Sequence, residues 1–185
     1  MLRVQPDLHR TLKSAALRAH VSLNHFCESV LQNSISPTIQ RNPELSGLSR
    51  AISLEYSDRE MEGIVLFGSA ARGELTESSD IDLLIVTNLS VERELYKRWD
   101  LSKPIQKEIT QERHPVNPQF VQMPKSLDQC GSLWLEAATE GRILLDPRGE
   151  IHRRFVEIRK AVLEGQFARA MSHGHPYWIR KRAQS

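Results

Sequence analysis

Cysteine is nearly missing from this 185-residue chain: Cys27 and Cys130 are the only two, far apart, and neither belongs to a C-x-x-C pair. That spacing argues against cysteine-based metal or redox chemistry. Long hydrophobic runs are missing too. None approaches the roughly 18 apolar residues that a membrane-spanning helix needs, and the opening MLRVQPDLHR lacks the apolar core of a signal peptide. There is no internal repeat and no low-complexity tract. Charge of one sign hardly predominates, with a net charge of +2. What remains, 39% hydrophobic and 26% charged residues, is the composition of a soluble globular protein. It is long enough for one ordinary domain plus a small one. A bacterial-type cytoplasmic location is expected.

The charge is unevenly placed. From Arg148 onward nine Lys or Arg face three Glu, a net +6. Such a tail suits nucleic acid, nucleotide phosphates or an acidic partner, and equally a solvated helix face. Composition divides the chain into a compact periodic piece at residues 1–33, a polar connector at 34–47 (within SISPTIQRNPELSG), alternating helix and strand patterns at 48–147, and a basic, mostly helical remainder at 148–185.

In the first piece Leu2 and Val4 share one strand face, and Arg3 and Gln5 the other. Pro6 would end the strand and Asp7 cap a helix. Leu8, Leu12, Ala15, Ala16 and Ala19 recur at helical spacing. A second helix follows Ser22, with Leu23, Phe26, Cys27, Val30 and Leu31 on its apolar face. One short strand and two helices cannot bury a core alone, so the strand needs a partner, most simply its copy in a second chain. RVQPDLHRTLKSAA followed by VSLNHFCESVL resembles the ribbon-helix-helix family of DNA-binding proteins, especially its antitoxin variant. The resemblance implies a homodimer through residues 1–33 whose antiparallel ribbon enters a DNA operator. Arg3 and Gln5 would face the bases, and the amides near Ser22 and Leu23 would hold a phosphate. A module that only dimerises is the alternative.

The chemistry concentrates in LFGSAARGELTESSDIDLLIV. Ile64–Phe67 is a buried-strand run that Gly68 and Ser69 end. Glycine lets a ligand approach the backbone, and the amides and hydroxyl that follow suit phosphate oxygens. Ala70, Ala71 and Arg72 begin a short helix whose N-terminus would add a positive dipole end. A polar turn leads into a second buried strand, DIDLLIVT. There Asp80 and Asp82, two apart, project from one face, while Ile81, Leu83 and Ile85 point the other way. Paired carboxylates beside a phosphate loop suit Mg²⁺, which takes one or two carboxylates together with substrate phosphates.

Gly-Ser, ten residues, then Asp-Ile-Asp-Leu after an apolar strand resembles the nucleotidyltransferase superfamily of DNA polymerase β. The stretch is similar in particular to its minimal branch. That branch includes antitoxins that transfer AMP to a partner toxin, and aminoglycoside nucleotidyltransferases share its core. The resemblance implies an α+β fold: a mixed sheet flanked by helices, joined to the small N-terminal ribbon-helix-helix module and the C-terminal helical segment. It implies ATP or another nucleoside triphosphate at Gly68 and Ser69, with Arg72 and Ser79 contacting phosphate or fixing the loop. Asp80 and Asp82 would be catalytic and hold Mg²⁺. The family's third carboxylate is expected on VNPQFVQMP, where Gln119 or a neighbour stands instead; Glu108 comes before that strand and Asp128 after it. Gln is no base and a weak Mg²⁺ ligand.

Other residues carry less. Trp134 reads as core, His114 as a loop residue, and His173 with His175 as too few ligands for a metal site. Tyr177 and Trp178 would pack the tail on the core. Ile151, Phe155, Ile158 and Val162 form the inner face of an amphipathic helix whose Arg153, Arg154, Arg159 and Lys160 lie outside. The leading expectation is an Mg²⁺-dependent transferase moving AMP from ATP to an acceptor hydroxyl, in an antitoxin-type regulator that modifies a partner toxin. The alternatives are a catalytically degenerate antitoxin and operator-binding repressor, and a small-molecule, aminoglycoside-type adenylyltransferase.

Overall fold

The two apolar runs become the central strands of the sheet. A computed structural model describes residues 5–19, 21–35, 45–57, 59–90, 92–172 and 175–181. Helices α1 (Pro6–Ala19), α2 (Leu23–Ile35) and α3 (Ser46–Glu55) precede strand β1 (Met61–Phe67) and the short helix α4 (Gly68–Arg72). Strand β2 (Ile81–Thr87), helices α5 (Glu92–Leu101) and α6 (Lys103–Ile109), and strand β3 (Val116–Val121) follow. A 3₁₀ turn at Leu127–Gln129 leads to α7 (Ser132–Glu140), strand β4 (Arg142–Leu145) and α8 (Glu150–Leu163). The hairpin β5 (Phe167–Ser172) and β6 (His175–Arg180) comes last.

The first four strands form one mixed sheet in the order β3-β2-β1-β4, with only β2 and β3 parallel. Because strand side chains alternate, the sheet feeds two cores. Ile64, Leu66, Leu83 and Ile85 face α3, α5 and α6, where Ile52, Trp99 and Ile105 are buried with them. Val65, Leu84 and Val86 face the other layer, where Trp134, Phe155, Ile158 and Val162 lie. The architecture is α+β, a mixed sheet flanked by helices, as the sequence implies. Trp134 is core, and Trp178 is buried while Tyr177 is exposed.

The N-terminal helices join this second core. Ala15, Ala16 and Phe26 are buried in the same cluster as Val65, Leu84 and Phe155. Helix α1 packs on α8 and β5, and α2 on α7 and β4. The inward faces of these two helices are thus covered within the chain. Arg3 and most of the expected strand lie outside the described residues, as do residues 36–44 of the connector. Gln5 is exposed, and its carbonyl accepts from the His9 amide at 2.9 Å, so it opens helix α1. Pro6 starts that helix and Asp7 sits in its first turn, two positions after the cap. Ser22 does cap α2: its hydroxyl accepts from the His25 amide at 3.1 Å.

The expected helical C-terminal segment is helical only through Leu163. FARAMS and HPYWIR pair antiparallel, Phe167 opposite Arg180 and Arg169 opposite Trp178. Both strands are six residues long and neither alternates apolar with polar residues, so neither stands out beside a 14-residue amphipathic helix. Arg159 also departs from expectation. It is 3% exposed, donates to the Ala138 carbonyl at 2.9 Å and lies over the Phe155 ring, and burial lowers its pKa to about 10. His173 lies outside the described residues. Among the described residues no helix is long and apolar enough to cross a membrane.

Candidate functional site

Strand register builds the site. Antiparallel pairing sets Phe67, the last residue of β1, opposite Asp82 near the start of β2. Parallel pairing sets Asn117 on the other side of Asp82. The chain leaves β1 through Gly68 at φ 68°, the left-handed region that disfavours any residue with a Cβ. A Cβ there would lie 2.6 Å from Asp82 Oδ2. The glycine therefore serves twice: it allows the turn into α4, and it leaves room beside the acid. Asp80 precedes β2 and is exposed, whereas Asp82 is half-buried.

Burial raises the Asp82 carboxyl above the usual carboxylate range, and the Asp80 charge pushes the same way. The Asn117 amide, donating to Asp82 Oδ1 at 3.0 Å, and the Arg72 charge oppose the rise. Gln119 reaches the Asn117 carboxamide oxygen at 3.5 Å and lies opposite Leu84. The residue beside the acid pair on β3 is thus Asn117, two positions before Gln119. Glu108 is on α6, against Gly47 of α3 on the far face of the sheet. Asp128 pairs with Arg180. Neither joins the site.

The flanking loop is braced by its own side chains. Ser79 Oγ accepts from the Thr76 amide at 2.9 Å, and His114 Nδ1 meets the Ser79 carbonyl at 3.1 Å, tying the approach to Asp80 onto the start of β3. The Ser69 carbonyl accepts from the Glu74 amide at 2.9 Å, which closes the turn after α4. Arg72 is occupied, donating to Glu74 at 2.6 Å and to Glu140 at 2.7 Å. These contacts tie the end of α4 to the turn that follows it and to α7.

Sequence inspection missed Glu136, Glu140 and Arg169. Glu140 is 1% exposed in its side chain and accepts from Arg72 and from Arg169 of β5, which also reaches Glu136 at 3.1 Å. Burial raises the Glu136 carboxyl against the pull of Arg169. The available signal was two glutamates four apart on a helix whose other residues in that turn, Ala137 and Ala138, are core. Between this cluster and α2 lies a cavity of about 560 Å³ whose walls include Ser22, His25 and Met171. Ser22, near the expected phosphate contact, is exposed at the edge of this cleft.

Asp80, Asp82 and the Asn117 carboxamide supply the hard oxygen donors that Mg²⁺ prefers, and the missing Cβ at Gly68 lets the Asp82 carboxylate lie against the backbone that leaves β1. Among the described residues, no group of three or more His, Cys, Asp or Glu could hold a metal by itself. The donor set fits an ion that arrives with a triphosphate. It is too poor for a permanent all-protein metal cage.

A family model described as a nucleotidyltransferase domain matches residues 50–127. Over those residues the chain is similar to that domain. The match begins in α3 and ends at the 3₁₀ turn, so it includes Gly68, Asp80, Asp82 and Asn117 and leaves out Glu140 and Arg169. A model of the HicB family matches residues 1–31. No curated protein matches the chain. Among solved structures, one chain of a toxin-antitoxin crystallised with AMP-PNP is 21% identical, with 64% of this chain and 89% of that one covered at a TM-score of 0.42. Two mutant forms of the toxin-antitoxin MntA-HpeT are 19% and 21% identical. They cover 64% and 70% of this chain, and 89% and 90% of their own, at TM-scores of 0.42 and 0.41. Neither the identities nor the scores bear on what this chain binds.

Proposed function

We propose that the nucleotidyltransferase domain transfers AMP from ATP to an acceptor hydroxyl, with release of pyrophosphate, and that the acceptor belongs to a partner toxin protein. The observation that carries the reading is the cradle at Gly68, where a Cβ would collide with Asp82 Oδ2. A folding role alone does not require a left-handed glycine against a half-buried carboxylate. Asp80 and Asp82 would hold Mg²⁺, which neutralises phosphate charge in an in-line displacement. Gly68 admits the phosphates, the amides and hydroxyl of Ser69 bind them, and Asn117 orients the Asp82 carboxylate. Radiolabelled ATP with Mg²⁺ and the candidate partner should label the partner, and Asp80→Asn/Asp82→Asn should abolish both labelling and calorimetric ATP binding. ATP binding by the double variant at wild-type strength would remove the site assignment.

A second reading is favoured by Asn117. A carboxamide beside Asp82 cannot accept the acceptor's proton. The chain would then bind nucleotide with little turnover and act as an antitoxin and operator-binding repressor. In either reading residues 1–33 form the homodimer and Arg3 and Gln5 touch the operator, where each base contact is worth roughly 1–3 kcal/mol. The match of residues 1–31 to the HicB family supports an N-terminal module distinct from the transferase. Arg3→Ala should weaken specific DNA more than random duplex at one salt concentration. Equal losses would leave the module a dimerisation device.

A further inference from the structure

We infer that Glu140 is a positioning residue for the nucleotide loop, acting through Arg72 and held in place by Arg169 of the C-terminal hairpin. Helix α4 has five residues, too few to persist without tertiary support. Its first residues, Gly68 and Ser69, are the loop, and its last, Arg72, is the anchor. Arg72 Nη1 meets Glu140 Oε2 at 2.7 Å, and the other carboxylate oxygen of Glu140 accepts from Arg169. Each oxygen of one buried carboxylate thus receives a guanidinium from a different element.

The carboxylate itself cannot drift. Glu140 ends α7, and the next residue, Gly141, passes so close to the sheet that a Cβ there would lie 2.3 Å from the Ala137 carbonyl oxygen and 3.1 Å from that of Leu66. Leu66 is two residues before Gly68 in β1, and Arg142 pairs with it across the sheet. The Glu140–Gly141 corner is therefore fixed to the strand that delivers the loop, and Arg72 connects the far end of α4 back to that corner. Arg169 completes the clamp from β5, lying over the Trp178 ring and also reaching Glu136 at 3.1 Å. Neither Glu140 nor Arg169 falls within the matched domain. The hairpin is thereby part of the transferase site, though no hairpin residue need touch the nucleotide.

The affinity half of the test rests on the nucleotide reading of the loop; the exchange half does not. Glu140→Gln keeps the shape and one acceptor oxygen and removes the charge. Hydrogen exchange at the Gly73 and Glu74 amides, which close the turn onto Ala70 and Ser69, should quicken at least tenfold. Amides of β2 and β3 should be unchanged, and affinity for Mg²⁺ with AMP-PNP should fall at least fivefold. Arg169→Gln should move the same amides in the same direction, and it serves alone if Glu140→Gln does not fold. A purely structural Glu140 would quicken exchange throughout the core and leave affinity intact. Unchanged exchange at Gly73 and Glu74 in a folded variant overturns the inference, whatever the wild-type protein binds. Quickened loop exchange in a protein that binds no nucleotide leaves the inference standing and overturns the proposed function.

Discussion

Gly68→Ala adds one methyl group at the point where the candidate site is tightest. The new Cβ would lie 2.6 Å from Asp82 Oδ2, against 3.4 Å for ordinary contact. The two must therefore separate by about 0.8 Å, the difference of those distances. Asp82 is paired on both sides, to Phe67 and to Asn117, so the loop is the softer partner. A displacement of about 1 Å in a reacting group costs on the order of 100-fold. The backbone adds a separate cost, because an L-residue at φ 68° is disfavoured by roughly 1–2 kcal/mol. In a chain of this length that lowers Tm by about 2–8 °C. Gly73→Ala separates the two effects. It carries the same backbone strain at φ 73°, and a Cβ there meets nothing within 4 Å. Thermal melts should show a loss of stability for both variants, the larger for Gly68→Ala. Calorimetry with Mg²⁺ and AMP-PNP should show lost affinity only for Gly68→Ala. Wild-type affinity in Gly68→Ala would mean that the space beside Asp82 is not where phosphate goes, and the site assignment would fail.

Three further outcomes follow from the same geometry. Burial holds the Asp82 carboxyl above its ordinary value of 3.8, so its contribution to stability is present below that pH and lost as pH rises through the raised value; Asp82→Asn should melt above the wild type at pH 7, with the gap closing toward pH 3.8 in a melting series, and a variant less stable at every pH would contradict this. Asn117→Asp sets a third carboxylate against Asp82 Oδ1, so metal-free protein should melt lower. Added Mn²⁺ or Mg²⁺ should then stabilise it more than wild type at the same concentration, its own total stabilisation reaching about 2.7 kcal/mol at 100 times its dissociation constant; equal metal responses would show that position 117 does not face the ion. Phe26→Ala empties a fully buried site in the core shared with Phe155, so the whole chain should lose about 3–5 kcal/mol in one cooperative transition; a separate early transition confined to residues 5–35 would show that α1 and α2 fold independently of the sheet and its other helices.

The parts of the site legible in sequence were those set by neighbours in the chain. Gly68 and Ser69 follow an apolar run directly, and Asp80 and Asp82 alternate with Ile81 and Leu83, so strand periodicity alone places the acids on the opposite side from the adjacent apolar residues. The helices α1, α2 and α8 were legible for the same reason, since their apolar spacing is local. The surface each face would cover was not. Nothing in the sequence around Phe26 says that it will join the core with Val65 and Phe155. Glu140 and Arg169 were hidden because a buried ion pair is written in two places. Arg72 and Glu140 are 68 residues apart, and neither residue type announces burial without its partner.

Register explains the remaining difference, at β3. The strand VNPQFV offers Asn117 and Gln119 on one face, two residues apart. A parallel partner joined through two helices can slide by two positions without exposing any apolar residue, so pattern does not choose between them. Pairing of Asp82 with Asn117 and of Leu84 with Gln119 makes the choice. A change of side chain at 117 acts within 3.0 Å of the acid, whereas one at 119 reaches it through Asn117. Gln119→Glu should therefore alter metal response far less than Asn117→Asp, and equal responses would place the working register two residues from the one described.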